Sequence, residues 1–159
     1  MSVELWRIAK ETPDYPANDL SGMGAARTGG RWNSKGKAVV YTSRSVSLAY
    51  LETLAHSGKQ VPRNLFLVCV SVPDDVWEAA IWVAERELPR AWRAEPPGIS
   101  SARLGDAWLD TVNSALLCLP SVIVPEGSNV LLNPMHVDFE KITAKVERQL
   151  LYDPRLLRL

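Results

Sequence analysis

The run LFLVCVSV at residues 65–72 constrains the fold more than any other stretch of the chain. Its length is that of one strand, it is apolar almost throughout, and Pro73, Asp74 and Asp75 close it. A strand with one face in water alternates polar and apolar residues. This one does not, so it is predicted to be buried on both faces and needs structure packed on either side. At 159 residues the chain can bury one such core without metals or disulfides, which points to one domain over 1–159.

Other segments surround that strand. Residues 5–9 and 38–42 read as strands, separated by a connection rich in Pro, Gly, Asn and Ser that holds Pro13, Pro16, Gly22, Gly24, Gly29 and Gly30. At 46–57 the period becomes helical, with Ser45 in front as a cap and Gly58 behind as a stop. Both sides of this helix are apolar, so it is predicted to be central and covered on two faces, with Glu52 as its only acid. Residues 76–88 fit neither period well and are read as a strand followed by a loop. A helix is predicted over 100–112, brief strands at 115–119, 121–124 and 130–132, and a one-faced strand where Ile142, Ala144 and Val146 alternate with polar residues. Asp153 and Pro154 resemble a helix start. Strands and helices mix without regular βαβ alternation, so the expected class is α+β, with mixed, mainly antiparallel sheets.

Bulk properties exclude several function classes. The chain is 47% hydrophobic and 23% charged, unlike disordered, collagenous or coiled-coil sequences. Eighteen basic residues balance eighteen acidic ones, so nothing suggests direct nucleic-acid binding or a polybasic membrane anchor. No stretch has the length of a membrane span, and MSVELWRIAK lacks the pattern of a secretory signal. Cys69 and Cys118 both sit in apolar runs, as small buried hydrophobes do in a reducing compartment, so a cytoplasmic location is expected.

Familiar catalytic motifs fail as well. SGMGAAR places Gly22 and Gly24 at dinucleotide-loop spacing, but Arg27 stands where a third Gly is required and the preceding residues are loop-like. His56 and His136 have no partner at metal-ligand spacing, and no metal site is expected; His56 suits the last turn of its helix. There is no nucleophile elbow and no Walker loop.

What remains is TGGRWNSKGKAVVYTS at 28–43, together with Glu52. Gly29 and Gly30 allow close backbone approach, Arg31 can grip phosphate oxygens bidentately, and Lys35 and Lys37 add local positive charge. Each residue also has a plain structural reading. In that reading Arg31 pairs with a surface acid, Tyr41 lies half-buried with a wet hydroxyl, Glu52 reaches solvent, and Ser121 bonds backbone at a strand edge.

The blocks GGRWNSKGKAVVYTS, LAYLE and LPSVIVPEGSNVLLNP, in that order, resemble the RES domain family, named for its Arg, Glu and Ser. This family is the toxin half of Xre-RES toxin–antitoxin systems. The resemblance extends from LWRI to YDPRL and implies a fold similar to ADP-ribosyltransferases of the diphtheria-toxin type. It also implies NAD+ as substrate rather than cofactor, growth arrest by NAD+ depletion through hydrolysis or phosphorolysis, and restraint by a cognate Xre-type antitoxin; a homodimer within that complex is compatible with it. The family residues fall on Arg31, Tyr41, Glu52 and Ser121. Their implied duties are to hold the diphosphate, stack on nicotinamide, stabilise charge on the ribose and orient the carboxylate, while Trp32, Asn33 and Asn133 are candidates for lining the pocket. Nicotinamide leaves NAD+ as a neutral molecule, so one carboxylate suffices where ordinary glycosidases need two. Mono-ADP-ribosylation of a protein and a non-catalytic nucleotide-binding module are the alternatives.

Overall fold

LFLVCVSV forms all but the last residue of β3 (Leu65–Pro73), which pairs antiparallel along its length with β1 (Ser2–Lys10) on one side and with β7 (Thr143–Leu150) on the other. Val68, Val70 and Val72 enter the main core with Leu5 and Ala9, while Leu65 and Leu67 point the other way and pack with Leu150. The expected burial of both faces is found. The computed structural model describes residues 1–60 and 62–158.

The remaining elements are α1 (Met23–Thr28), β2 (Val40–Ser43), α2 (Val46–His56), α3 (Asp74–Glu78), β4 (Ile81–Trp82), α4 (Ile99–Thr111), β5 (Leu116–Pro120) and β6 (Ser128–Leu132). Short 3-10 turns lie at Glu85–Glu87, Val137–Lys141 and Pro154–Arg158. One sheet of seven strands runs β4-β5-β6-β2-β1-β3-β7; all neighbours are antiparallel except β4 and β5. The α+β class and the mixed, mainly antiparallel pairing are as expected.

The sheet is nearly divided in the middle, because β1 and β2 share a single register pair, Trp6 with Ser43. One face of both halves contributes to a common core through Leu5, Val70, Val40, Leu116, Cys118 and Val130. On the other face the halves carry separate covers. Val46 and Tyr50 of α2 lie on Trp6, Ile8, Leu65 and Leu67, whereas Trp108 and Leu109 of α4, with Trp32 and Trp92, lie on Leu117, Leu119 and Leu131. The polar ends of β2 and β6 lie between these two covers, and the candidate site is built there.

Four expectations are corrected. α2 does lie against the central strands, but it is not covered on two sides: Leu48 and Ala49 are buried, Leu51 and Ala55 exposed. Residues 23–28, read as loop, form α1, too short to display a helical period. In the 76–88 segment, Asp74 and Asp75 begin a helix instead of merely ending a strand, since acids suit a helix N-terminus; only Ile81–Trp82 is strand. Residues 121–124 turn instead of continuing as a strand. Cys69 and Cys118 are both buried free thiols. No helix among the described residues is long and apolar enough to cross a membrane.

Candidate active site

Glu52 is set in place by the start of its helix. The Ser45 side chain accepts the Leu48 N–H at 3.1 Å and fixes the first turn of α2. Leu48 is buried, and Glu52, four residues later, lies on the same face one turn on. There its Oε1 accepts two hydrogen bonds, from Ser121 Oγ at 2.7 Å and from Asn129 Nδ2 at 2.7 Å. Oε2 accepts none among the described residues.

Ser121 follows the end of β5 and is fully buried. Its Oγ accepts the N–H groups of Ile123 and Val124 at 3.0 and 3.1 Å, and its own N–H donates to Gly127 O at 3.0 Å. With both acceptor positions filled by backbone, the single hydroxyl proton is directed to Glu52. The same two bonds explain why 121–124 is not a strand: the side chain supplies a local partner that replaces the ladder. Thus both readings of Ser121, carboxylate partner and backbone partner, describe the same hydroxyl.

Asn129 completes the arrangement and was not legible in the sequence. It lies opposite Ser43 in the β2–β6 ladder, and Ser43 Oγ donates to Asn129 Oδ1 at 2.7 Å. Only the register of two strands far apart in sequence brings these residues together. The alternation in SNVLL, which puts Asn129 and Leu131 on one face, was the sole available signal.

Tyr41 lies two residues before Ser43 on that same face, about 7 Å along the strand. Its hydroxyl accepts the Trp32 N–H at 3.1 Å and donates to Asn33 Oδ1 at 2.6 Å. Burial drives the phenol pKa well above its ordinary value. A Cβ added to Gly30 would stand 2.8 Å from this hydroxyl, so this glycine makes room for Tyr41, whereas a ligand was the expected beneficiary.

Arg31 follows in the same turn. Its Nη1 donates to the carbonyls of Trp92 and Ala94, both at 2.8 Å, and its Nη2 to Glu95 Oε2 at 3.0 Å. The side chain is 14% exposed and Glu95 78%. Of the five guanidinium N–H groups, these bonds leave Nε–H and one Nη2–H. Two hydrogen-bonded groups result: Trp32 and Asn33 of the Arg31 turn joined to Tyr41, and Ser43, Asn129 and Ser121 leading to Glu52, with Tyr41 and Ser43 two residues apart on β2.

The three residues expected to line a pocket also have structural partners. Trp32 is 3% exposed and stacks on Trp92 with ring centroids 6.3 Å apart. Asn33 is buried and donates to the carbonyls of Ala25 and Lys37 at 2.9 and 3.1 Å, which closes the turn. Asn133 is buried at the end of β6, donating to Leu109 O at 3.1 Å and accepting the Met135 N–H at 3.0 Å. Each braces its own neighbourhood through these contacts. Lys37 pairs with Asp110 of α4. His56 ends α2, and His136 accepts the Asp138 N–H through Nδ1 at 3.1 Å.

Comparison with known proteins found a matching family and several relatives. The family model described as RES domain matches residues 4–153. The chain is 46% identical over 159 residues to the Prs ADP-ribosylating toxin of Sphingobium sp. (strain YBL2), covering 99% of both. It is 36% identical to Toxin Res of Yersinia enterocolitica, covering 96% of this chain and 98% of that one. A chain in the crystal structure of the M. tuberculosis MbcT-MbcA toxin-antitoxin complex matches with a TM-score of 0.71 at 15% identity, over 99% of this chain and 88% of that one. At that identity the likeness establishes the fold alone.

Proposed function

Because the chain belongs to the RES domain family of toxins, we propose that it breaks the bond between nicotinamide and ribose in NAD+ and passes the ADP-ribosyl group to an acceptor. The observation that carries this reading is the state of Glu52. A lone carboxylate, gripped through Oε1 by two donors and open at Oε2, suits a reaction whose transition state gathers positive charge on a sugar and whose leaving group needs no proton. As the C1′–N bond breaks, its electron pair leaves with neutral nicotinamide. The acceptor's lone pair then forms the new bond to C1′, and its proton passes to solvent or to Oε2. Arg31, through its two remaining N–H groups, is suited to hold the diphosphate. Tyr41, braced at its hydroxyl, presents a fixed ring for a flat cationic heterocycle.

For the acceptor we favour a protein, because the 46% identical relative is named for ADP-ribosylating Prs. A second reading, transfer to water or phosphate with depletion of NAD+, is supported by a partly exposed Glu52 whose Oε2 has no partner among the described residues and is free to meet a small nucleophile. An antitoxin that restrains the activity is part of the proposal, supported by the toxin–antitoxin complex in which the structural neighbour occurs; an Xre-type partner is the expected kind.

The test is proton NMR of NAD+ with the purified chain, with and without phosphate and with Prs as candidate acceptor. Nicotinamide release with modified Prs is the expected result. Free ADP-ribose, or a phosphorylated form of it, would instead assign water or phosphate. Replacing Glu52 by Gln should slow nicotinamide release about a hundredfold or more, and a rate within a few-fold of the original removes Glu52 from the mechanism. Intact NAD+ with no antitoxin present would leave a binding module.

A further inference from the structure

We infer that Asn129, held by Ser43, is a positioning residue that determines which oxygen of Glu52 meets the substrate; the inference rests on the function proposed above. Glu52 rides on α2, whose cover belongs to the β1–β3–β7 half of the sheet, whereas Asn129 and Ser43 belong to the other half. The carboxylate therefore reaches across the seam. Ser43 is itself the residue at which the two halves pair, opposite Trp6.

At that junction the polarity is fixed one step at a time. The buried Ser43 hydroxyl donates to Asn129 Oδ1, which turns the amide so that Nδ2 faces Glu52. Ser121 can donate only one proton, and a carboxylate held at a single point still pivots. The second donor, on the same oxygen, stops the pivot and leaves Oε2, without a partner among the described residues, as the oxygen free to meet the substrate. The chemistry requires one particular geometry of the negative charge, and a displacement of about 1 Å is enough to lose much of a rate.

Asn129→Asp and Asn129→Ala separate positioning from mere packing. Asp matches Asn in shape but replaces the donor with a second anion, whereas Ala removes bulk and leaves space for water. A structural role makes Ala the worse substitution; positioning makes Asp the worse. We expect N129D to lower kcat for nicotinamide release about tenfold or more, with KM for NAD+ changed less than about threefold, and N129A to lower kcat less. S43A, which frees the amide to rotate, should fall between N129A and the original protein. Equal kcat in N129D and the original overturns the inference, as does a larger loss in N129A that follows its loss of melting temperature.

A second measurement does not depend on turnover. In 15N-labelled protein the side-chain amide protons of Asn129 should shift when Glu52→Gln removes the anionic acceptor. Unmoved signals overturn the pairing. If the original protein leaves NAD+ intact, the functional reading fails while this experiment still decides the pairing.

Discussion

Arg31 divides its guanidinium between the fold and the open side of the turn, and that division changes what its substitution measures. Two backbone carbonyls, of Trp92 and Ala94, depend on Nη1 and would lose a charged donor in Arg31→Ala. Hydrogen bonds to charged groups contribute about 1.5–3 kcal/mol, so this variant is expected to lose stability as well as NAD+ affinity, and lost activity alone would not identify the ligand contact. Glu95→Gln is the cleaner probe. Glu95 is mostly exposed, and such pairs contribute at most about 1 kcal/mol, so melting should hardly change. Its carboxylate nevertheless competes with any anion for Nη2. If Arg31 holds the diphosphate, Glu95→Gln lowers KM for NAD+ at unchanged kcat, and a raised KM would argue against that role. Tyr41 permits a similar separation. Tyr41→Phe keeps the ring but strands the Trp32 N–H and Asn33 Oδ1, at a cost of about 1–3 kcal/mol readable by chemical denaturation, while stacking on the heterocycle should survive.

Among the elements, α2 was the most legible because its signals are local: Ser45 as cap, a helical period, and Glu52 as an acid out of place. Replacing Ser45 by Ala should cost about 1 kcal/mol in denaturant unfolding and loosen the turn that aims Glu52. β3 was legible from the length of its unbroken apolar run and the residues that close it. The long-range pairings were not, and they carry half of the site. Ser121 could be singled out by resemblance, but the turn that frees its proton depends on two backbone N–H groups that propensity assigned to a strand. Trp32, Asn33 and Asn133 are hard to assign from sequence for one physical reason, since polar or aromatic residues beside a site serve equally well to line it or to brace it from inside. Segment 88–95, which lies in no regular element, supplies the carbonyls that seat Arg31 and the ring of Trp92 that packs on Trp32. The approach of α4 to the Arg31 turn depends on Gly105, where an added Cβ would stand 1.7 Å from Trp32 O. Gly105→Ala must push helix and turn apart, and a loss of about 2 kcal/mol or more in unfolding free energy is expected, with lowered activity in the surviving folded fraction. A neutral Gly105→Ala would mean that α4 can slide without disturbing the site.

Across the whole molecule, charge is balanced at neutral pH and the core holds groups that resist ionisation, which together set how stability should respond to alkali. Cys118, in the main core, has its thiol pushed up to about 12, chiefly by burial. Burial raises the Tyr41 phenol further still, and Tyr152 moves in the same direction for the same first reason. Their ordinary values are about 8.5 for a thiol and about 10 for a phenol. Each group therefore keeps its proton in the folded chain at a pH where the unfolded chain has released it, so unfolding releases protons. Stability then falls as pH rises. The contribution is fully present below the ordinary values and is progressively lost above them, up to the raised values of the folded state. Melting temperature should accordingly be level from about pH 6 to 8 and decline from about pH 9 upward. Cys118→Ala should flatten the first part of that decline and Tyr41→Phe the later part, even though both variants are less stable at neutral pH. Because Cys118 lies in the core shared by the two sheet halves and Tyr41 beside the seam between them, the two slopes report on different regions of the same cooperative unit. Melting curves at half-unit pH intervals would measure both, and a decline unchanged in the double variant would place its origin in other groups.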